Sequence, residues 1–451
     1  MVKDALVLPS YYYGLLNSEW EKGDKVYGYH RGVDPPIVHF TAAGKPWSFQ
    51  ASSFSNRGEW DAPFDDANRR WHDLRSDLKR LTNAPVPNTS VPNFLRSVVH
   101  ILPNQHTFVK TGDIPDMWIR DSTAQVWPYR DSHPDLITAV LRQQSFFIQH
   151  DVYANSYKYH YRDTNSIGLS EQRLGRGGWV ATRNYELDSG CYFLRLLHHA
   201  WKHHHLDVTE FKPTVELLVR TWIVEQRHEE HSPYRYPELP RNGLGTPVGY
   251  TGMTWSGFRP SDDACTYGYH IPSNLFAAAM LRHVVSMFPN IDGSNQLRQE
   301  ILDGVKHHGT WVDDNGVERY CYEVDGLGGC NKMDDANLPS LLSIPYFDPD
   351  YVITLWKNTY EWVWSDENPY FYRGKAAEGI GSPHTPKNHI WPLSQIARGL
   401  VDPSVRDKMK DMVERTNVGG KAHESFHKDD FTKYTRDDFS WPNALFTELI
   451  L

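Results

Sequence analysis

Three residues near the C-terminus have the spacing of a zinc-peptidase motif. His423, Glu424 and His427 form the pattern H-E-x-x-H. In a zinc peptidase the two histidines lie on one face of a helix and bind Zn²⁺, and the glutamate acts as the general base. The pattern indicates a metallopeptidase only if these residues are helical.

The sequence on both sides of this pattern is typical of a loop. Residues 417–420, Asn-Val-Gly-Gly, break a helix, and residues 428–433 lack apolar side chains at helical spacing. A chain with 23 histidines also matches the pattern by chance more easily than most chains do. We therefore expect no metal ion at this position and another role for Glu424.

A second group suited to chemistry is the adjacent pair Asp262 and Asp263. Hydrolysis of a glycosidic bond needs one carboxylic acid that protonates the leaving oxygen and one carboxylate that acts from the other face of the sugar. Two neighbouring carboxylates repel each other, and burial raises the pKa of one of them, so that it keeps a proton near neutral pH. The pair follows an aromatic loop at 255–261, and Glu424 would act as the base across the same pocket.

Helices of two kinds alternate along the chain and would position these residues. One kind is amphipathic, with apolar residues at i, i+3, i+4 and i+7, and the other begins with polar residues and then turns apolar all round, as in 273–281. Amphipathic helices are predicted around 215–223 and 297–305 and over 65–81, 134–150, 348–364 and 403–415. Buried helices are predicted to begin near Asp116, Glu186, Tyr269, Asp334, His389 and Arg436.

This alternation predicts an all-α fold, the (α/α)6 barrel, in which six helical hairpins form a toroid. The inner helices of such a barrel run parallel, so their N-termini open on one mouth. Carboxylates also cap helix N-termini, and capping is the simpler explanation for any single acid there. The clustering of the whole set at one mouth favours function. The set comprises Arg120, Asp121, Glu186, Asp188, Asp262, Asp263, Asp334, Asp335, His384 and Glu424.

Six sequence blocks together resemble glycoside hydrolase family 125. They run in order from residue 111 to the C-terminus, so the resemblance covers about three quarters of the chain, and as a set they are highly specific. The blocks are T-G-D-I-P-D-M-W-I-R-D-S at 111–122 with A-Q-V at 124–126, Y-E-L-D-S at 185–189, S-G-F-R-P-S-D-D at 256–263, N-L-P-S-L-L at 337–342, G-I-G-S-P-H-T at 379–385 and H-E-S-F-H at 423–427.

The resemblance implies a metal-independent, inverting exo-α-1,6-mannosidase that removes terminal mannose and uses no cofactor. It also implies a general acid in the S-D-D block and a general base at Glu424, so the H-E-x-x-H pattern is coincidental. Spacing does not decide between the two aspartates. We favour Asp262 as the acid and Asp263 as a residue that orients the substrate.

Further residues are predicted to bind the sugar. Arg120 and Asp121 would bind hydroxyls of the terminal sugar, since a charged donor beside an acceptor suits a vicinal diol; the alternative is a buried structural ion pair. Trp118 suits the core and a sugar platform equally. The other residues predicted to line the pocket are Asp116, Glu186, Asp188, Arg259, Asp335 and His384.

The implied mechanism also makes geometric predictions. An inverting pair of carboxylates stands roughly 6.5 to 9.5 Å apart, which leaves room for water, whereas a retaining pair stands about 5 Å apart. An exo-acting enzyme needs a blind pocket rather than an open cleft.

Composition excludes some partners and leaves others. The net charge of -9 and the pI near 6.2 argue against nucleic acid and anionic membranes, and no apolar run reaches the length of a membrane span. The expected partner is an α-1,6-linked manno-oligosaccharide, an N-glycan or a mannan, bound by a monomer or weak oligomer. The first residues carry no export signal, so we expect a cytoplasmic protein, or a secreted one if a signal peptide precedes this sequence.

The chain lacks a linker between segments of different composition. We predict residues 1–90 as an N-terminal extension packed on a catalytic unit formed by 91–451. Cys321 and Cys330 are close enough in sequence to form a disulfide, and reduced thiols fit equally well.

Three alternatives remain open at this level. An inverting enzyme of the same fold that cleaves α-glucosides would differ only in substrate, because mannose specificity rests on the resemblance alone. A zinc peptidase would bind metal and lose activity with a chelator. A carbohydrate-binding protein without catalysis would have no need of opposed carboxylates.

Overall fold

Ten helices of eight or more residues lie in the part of the chain that the structure describes, residues 97–102 and 105–451 of this computed structural model. They are α1 (Ile119–Val126), α2 (Pro134–His150), α3 (Leu187–His204), α4 (Lys212–Glu225), α5 (Ile271–Met287), α6 (Ser294–His308), α7 (Ile353–Val363), α8 (Pro392–Val401), α9 (Arg406–Thr416) and α10 (Ser440–Ile450). Shorter helices cover Leu169–Arg173, His228–His231, Pro240–Gly243 and Ile344–Phe347. The predicted helix over 65–81 and the proposed extension 1–90 lie outside the described residues.

The buried helices pack side by side in a closed ring. Around it, α1 packs against α3, α3 against α5, α5 against the short helix Ile344–Phe347, that helix against α8, α8 against α10, and α10 against α1. Residues 271–281 at the start of α5 are buried on every side, as the apolar sequence predicts. The ring therefore has six inner elements, of which five are long helices.

Amphipathic helices pack on the outside of this ring. Helix α2 packs against α3, α6 against α5, and α9 against α8. On α6 the predicted stripe Leu297, Ile301 and Val305 is buried, while the end of the helix is charged. The predicted helix over 134–150 has the observed bounds of α2, and α4 covers the predicted stripe at 215–223.

The sequence-based prediction fails for one inner helix. No helix begins at Asp334 among the described residues, because residues 334–343 form an irregular loop around the Asp334 carboxylate, which accepts hydrogen bonds from the backbone N–H groups of Leu341 and Leu342. Pro339 in this loop also lacks a donor for a helix. The helix predicted from Asp348 begins five residues later, and the one predicted from Pro403 is a 3-10 turn followed by α9.

Short strands join the helices, so the prediction of an all-α chain is too simple. Fifteen strands form six sheets of two or three strands within the described residues. Most are two or three residues long, which is too short to show the alternating pattern that marks a strand. They are β1 (Val99–Ile101), β2 (Thr107–Val109), β3 (Asp116–Trp118), β4 (Ser156–Arg162), β5 (Gly178–Thr182), β6 (Tyr269–His270), β7 (Thr310–Val312), β8 (Glu318–Tyr320), β9 (Glu323–Val324), β10 (Cys330–Asn331), β11 (Phe371–Arg373), β12 (Glu378–Ile380), β13 (His389–Ile390), β14 (Ser425–His427) and β15 (Asp430–Thr435).

Two further features concern covalent structure and membranes. Cys321 and Cys330 form a disulfide, which resolves the alternative left open by their spacing. None of the helices within the described ranges is long and apolar enough to cross a membrane.

Candidate active site

A cavity open to solvent lies at the N-terminal ends of three inner helices, and the cavity and its open mouth together hold about 360 Å³ of empty space. The residues immediately before α1, α8 and α10 are Trp118, Trp391 and Phe439, and all three line it. The inner helices therefore open on a common mouth, as parallel packing in a ring requires. The other lining residues are Thr111, Ile114, Arg120, Asp121, Pro260, Ser261, Asp262, Asn337, His384, Glu424, Arg436 and Trp441.

The adjacent aspartates Asp262 and Asp263 lie at the tip of a short hairpin. Phe258 and Ala264 pair across its base, and the N–H of Arg259 donates to the carbonyl oxygen of Asp263 over 2.8 Å. Asp262 has φ 68°, a left-handed conformation that aspartate tolerates better than most residues. This turn gives the two side chains different surroundings, because Asp262 lines the cavity and Asp263 does not.

Asp262 is held by two hydrogen-bond donors and faces one cation. Its Oδ1 atom accepts hydrogen bonds from Asn155 Nδ2 at 2.7 Å and from Trp118 Nε1 at 3.2 Å. The same oxygen lies 3.8 Å from Arg120 Nη2. The side chain keeps an exposed fraction of 31%, so the carboxylate is fixed in position and still accessible from the cavity.

Asp263 pairs with His384. Asp263 Oδ1 lies 2.9 Å from His384 Nδ1. The hydrogen bond to Asp263 and the charge of this carboxylate raise the pKa of His384 to about 9, against the opposing effect of burial. His384 therefore carries a positive charge at neutral pH, and it lines the cavity beside Asp262.

Glu424 approaches the cavity from the segment before β14. Its side chain is almost buried, and its Oε1 atom lies 3.4 Å from Arg436 Nη1. Arg436 is itself fixed by Asp113, whose Oδ1 lies 2.5 Å from Nη2, and by the carbonyl oxygen of Thr111 at 3.3 Å. The Arg436 guanidinium also lies over the ring of Phe439. Glu424 thus has a fixed cationic neighbour within the cavity.

Arg120 is the centre of a buried group of carboxylates at the floor of the site. Its Nη1 atom lies 2.6 Å from Glu186 Oε2 and 3.4 Å from Asp188 Oδ2, and its Nε atom lies 3.4 Å from Asp121 Oδ2. With Asp262, four carboxylates surround one guanidinium that is only 3% exposed. One positive charge cannot balance four negative charges, so the group favours bound protons.

The pKa values of this group are shifted in that direction. Burial raises the pKa of Asp121 and of Asp188 to about 6, and the charge of Arg120 opposes the shift. Burial also raises the pKa of Glu186 well above its usual range, despite the same arginine. Burial therefore favours the protonated form of the carboxyl groups beneath the cavity.

Half of the twelve predicted site residues line the cavity, and half lie around it. The lining residues are Trp118, Arg120, Asp121, Asp262, His384 and Glu424. The others are engaged elsewhere: Glu186 and Asp188 bind Arg120, Asp263 binds His384, Asp116 binds Lys158 at 2.8 Å, Arg259 binds Glu323 at 2.6 Å, and Asp335 accepts a hydrogen bond from Ser382 Oγ at 3.0 Å.

Asp116, Arg259 and Asp335 are not among the residues that line this cavity, and each contacts another partner. Asp116 belongs to β3, which pairs with β4, so its side chain meets Lys158 on the neighbouring strand. Arg259 turns to β9, where both oxygens of Glu323 accept its hydrogen bonds. The sequence predicted these residues from their type alone, and the partners they meet in the folded chain are charged or polar groups outside the cavity lining.

Sequence reasoning missed several cavity residues. Arg436 was predicted only as the start of a helix, and Trp391, Phe439 and Trp441 were not selected. Asn155, which donates to Asp262 and lies outside the cavity lining, was not selected either. One signal was available, since Trp-Pro stands at 391–392 and again at 441–442. Proline favours the first turn of a helix, so the aromatic ring before it lies at the helix mouth.

The H-E-x-x-H segment has no helix. Ser425–His427 forms β14, which pairs with β13 and β15. The Nδ1 atom of His423 lies 2.9 Å from the carbonyl oxygen of Arg436, and the His423 ring stacks on Tyr434. The ring of His427 packs edge-on against His389. The two histidines are therefore not arranged as helical zinc ligands, and the zinc-peptidase hypothesis is wrong.

The arrangement suits acid–base chemistry on a sugar. Two carboxylates, those of Asp262 and Glu424, belong to distant segments and line one cavity. Aromatic rings from Trp118, Trp391 and Trp441 provide apolar surfaces of the kind that stack against sugar rings.

Comparisons with known proteins agree with this chemistry. The sequence profile of the glycoside hydrolase family described as metal-independent α-mannosidase, GH125, matches residues 76–451, and so begins inside the segment predicted as an extension. The meiotically up-regulated gene 157 protein of Schizosaccharomyces pombe is 33% identical over 425 residues, which are 83% of this chain and 82% of that protein. A metal-independent α-mannosidase of Streptococcus pneumoniae, solved as a non-productive substrate complex with α-1,6-mannobiose, is 36% identical with a TM-score of 0.75, and the match covers 85% of this chain and 97% of that one.

Proposed function

Because this chain belongs to glycoside hydrolase family 125 and is an α-mannosidase, we propose that it is an inverting exo-α-1,6-mannosidase that releases terminal mannose. Asp262 is the general acid in this proposal, and Glu424 is the general base. The observation that carries it is that these two carboxylates, 162 residues apart in sequence, line one cavity at the mouth of the helical ring.

The α-1,6 linkage is supported by the Streptococcus pneumoniae relative, which was solved with α-1,6-mannobiose. The substrate of this chain would be an α-1,6-linked manno-oligosaccharide, either free or part of an N-glycan or a mannan. The fold would be the (α/α)6 barrel, with the six inner elements as its inner ring.

In the proposed reaction Asp262 donates its proton to the glycosidic oxygen as the bond to the anomeric carbon breaks. Glu424 removes a proton from a water molecule that attacks this carbon from the opposite face. The product is β-mannose, and the reaction leaves Asp262 ionised and Glu424 protonated until both exchange with solvent. A separation of roughly 6.5 to 9.5 Å between the two carboxylates is required for this water.

The surrounding residues have supporting roles in this proposal. Arg436 orients Glu424 through the 3.4 Å contact, and Asn155 and Trp118 hold one oxygen of Asp262, which leaves the other free to act. Arg120 and Asp121 bind hydroxyls of the terminal mannose from the floor. The positive charge of His384 lies at the rim of the cavity beside Asp263.

The test is hydrolysis of α-1,6-mannobiose in excess EDTA, followed by proton NMR before the product mutarotates. We expect β-mannose to appear first, at the rate seen without EDTA. First appearance of α-mannose would overturn the inverting mechanism. Cleavage of α-1,2- or α-1,3-mannobiose in preference to the α-1,6 isomer would overturn the linkage.

A longer α-1,6-linked oligosaccharide tests exo action. The blind pocket of an exo enzyme admits one chain end, so we expect loss of one mannose per step from the non-reducing end. Early appearance of internal fragments would contradict this.

A further inference from the structure

A histidine cluster outside the active site lies at the C-terminal end of α3. Ligand atoms of Asp131, His199 and His204 all lie within 4.8 Å of one another. Asp131 follows the 3-10 turn that ends α1, so the cluster joins the ends of two neighbouring inner helices. No other group of three or more His, Cys, Asp or Glu residues in the described ranges has this spacing.

The imidazoles of this cluster lack hydrogen-bond partners. Both ring nitrogens of His204 are buried and have no partner among the described residues. His199 Nε2 lies 3.1 Å from Asp131 Oδ1, yet this contact lacks the alignment of a hydrogen bond. A buried polar atom without a partner costs free energy. A neutral imidazole has one ring nitrogen with a free lone pair, so His199 and His204 can each offer one nitrogen to a cation.

The access and geometry of the cluster suit a small cation. Asp131 is exposed, whereas His199 is buried and His204 is partly buried, so an ion would enter from the side of the carboxylate. Ligand atoms around a tetrahedral zinc ion lie about 3.3 Å apart, given bonds of about 2.0 Å. His199 Nε2 and Asp131 Oδ1 already lie 3.1 Å apart, and the spacings to His204, at most 4.8 Å, would close to that value around a bound ion and leave the fourth position to water.

We propose that Asp131, His199 and His204 form a binding site for a divalent transition-metal ion, with Zn²⁺ as the preferred ion. Two imidazoles and one carboxylate favour zinc and similar ions over magnesium or calcium, which prefer oxygen ligands. The bound ion ties the end of α1 to the end of α3 and stabilises the ring.

This site is separate from the catalytic one. Asp188 stands in the first turn of α3, and His199 and His204 follow it by 11 and 16 residues on the same helix. At 1.5 Å per residue the cluster lies about 16 to 24 Å along the axis from the active-site floor. A metal ion here takes no part in hydrolysis, and the inference does not depend on the proposed function.

Zinc titration of the full-length protein after removal of metal with EDTA tests the site. Isothermal titration calorimetry with ZnCl₂ should give one ion per chain with a dissociation constant in the micromolar range, and zinc should raise the melting temperature. Asp131→Asn keeps the shape of the exposed side chain and should weaken binding by about tenfold or more, since loss even of an outer partner of a metal site costs about 10- to 100-fold. His204→Ala should abolish binding and the thermal shift together.

A neighbouring histidine provides the matched control. His205 ends the same helix, is exposed and has φ 53°, which asparagine also tolerates. His205→Asn should bind zinc as the unaltered protein does. The proposal would be overturned if Asp131→Asn bound zinc as tightly as the unaltered protein, or if His205→Asn lost zinc binding to the same extent as Asp131→Asn. It would also be overturned if the unaltered protein did not bind zinc.

The rate of mannoside hydrolysis at saturating zinc tests whether an ion at the histidine cluster affects the catalytic cavity. The rate should be the same with and without zinc, and in Asp131→Asn. Inhibition by zinc that is lost in His204→Ala would contradict the separation of the two sites and overturn that part of the proposal.

Discussion

The residues Asp262 and Asp263 are adjacent and have different environments. The left-handed turn at Asp262 exposes its carboxylate to the cavity, while Asp263 forms an ion pair with His384. This difference supports Asp262 as the acid, which spacing alone did not decide. The next two predictions test these roles.

Glu424→Gln and Asp262→Asn should each lower kcat for α-1,6-mannobiose by about 10²- to 10⁴-fold, because each amide removes one proton-transfer group. Substrate binding, measured by calorimetry, should be largely kept because the amides match the carboxylates in size. Asp263→Asn is the control and should lower kcat less. Near-normal turnover in Glu424→Gln would exclude this residue as the base.

The ion pair of Asp263 and His384 should make stability depend on pH. The pKa of His384 is raised from the ordinary value of 6.5 to about 9, so the pair stabilises the folded state fully below pH 6.5 and this contribution is lost as the pH rises through 9. The melting temperature of Asp263→Asn should therefore fall below that of the unaltered protein by more at pH 6 than at pH 10. An equal difference at both values would show that the charge on His384 does not contribute.

At the scale of elements, the hairpin that carries both aspartates depends on β9. Arg259 at its start is buried and donates to both oxygens of Glu323, and Glu323 also accepts hydrogen bonds from the backbone N–H groups of Thr266 and Tyr267. One buried carboxylate therefore fixes both ends of the loop, although it lies about 60 residues away in sequence.

Glu323→Gln should lower the free energy of unfolding by about 3–5 kcal/mol, because the Arg259 charge stays buried without a counter-charge. It should also lower kcat, since Asp262 and Asp263 lie on the same loop. Urea unfolding and initial rates measure the two effects. Glu318→Gln on neighbouring β8, which is exposed, should change stability by about 0.5 kcal/mol or less.

The loop that contains Thr111 is joined to the start of α10 at Gly112. This glycine has φ 59°, and a Cβ atom there would collide with the carbonyl oxygen of Asp438. The N–H of Asp113 donates to the same oxygen over 2.9 Å. Only glycine allows the backbone at position 112 to come this close to Asp438. This contact places Thr111 and Phe439 together in the cavity wall.

Gly112→Ala should therefore destabilise the protein and lower kcat/KM. Gly316→Ala is the matched control, because Gly316 has φ 80° but a methyl group added there would meet no atom within 4 Å. The control should cost only the left-handed backbone strain of about 1–2 kcal/mol and leave activity unchanged. Thermal unfolding measures the stability of both variants, and steady-state kinetics measures their kcat/KM. Equal effects would mean that the contact with Asp438 does not matter.

At the scale of the whole molecule, the helical ring closes through α10. This C-terminal helix packs against both α8 and α1, so it joins the last inner elements to the first. Residues 106–451 belong to one compact unit. The mouth of the ring holds lining residues from positions 111 to 441, so the site exists only when the ring is closed.

Removal of residues 440–451 should abolish cooperative unfolding and activity, because it exposes the apolar faces of α1 and α8 and removes Trp441 from the cavity. Near-ultraviolet circular dichroism during thermal unfolding measures the loss. Removal of Leu451 alone, which is 83% exposed, should have no effect. A cooperative, active protein without α10 would contradict the role of ring closure.

The sequence by itself determined most of the helical segments and the residues that could do chemistry. Apolar periodicity is a local property, so it located α2, α4, α6 and the buried α5. The S-D-D and H-E-S-F-H blocks also identified the two carboxylates that share the cavity, and the breaker residues excluded a helix at H-E-x-x-H.

The tertiary structure alone decided which partner each polar side chain meets. Arg120 gathers four carboxylates, Arg259 meets Glu323, and Arg436 meets Glu424, although each arginine is equally charged in the sequence. The strands at the mouth are too short to leave a periodic signal. The Asp334 carboxylate replaces the expected helix with a loop by accepting hydrogen bonds from the backbone N–H groups of Leu341 and Leu342. Ion pairs and hydrogen bonds act over a few ångströms, and only the folded ring brings residues from positions 111 to 441 within that distance.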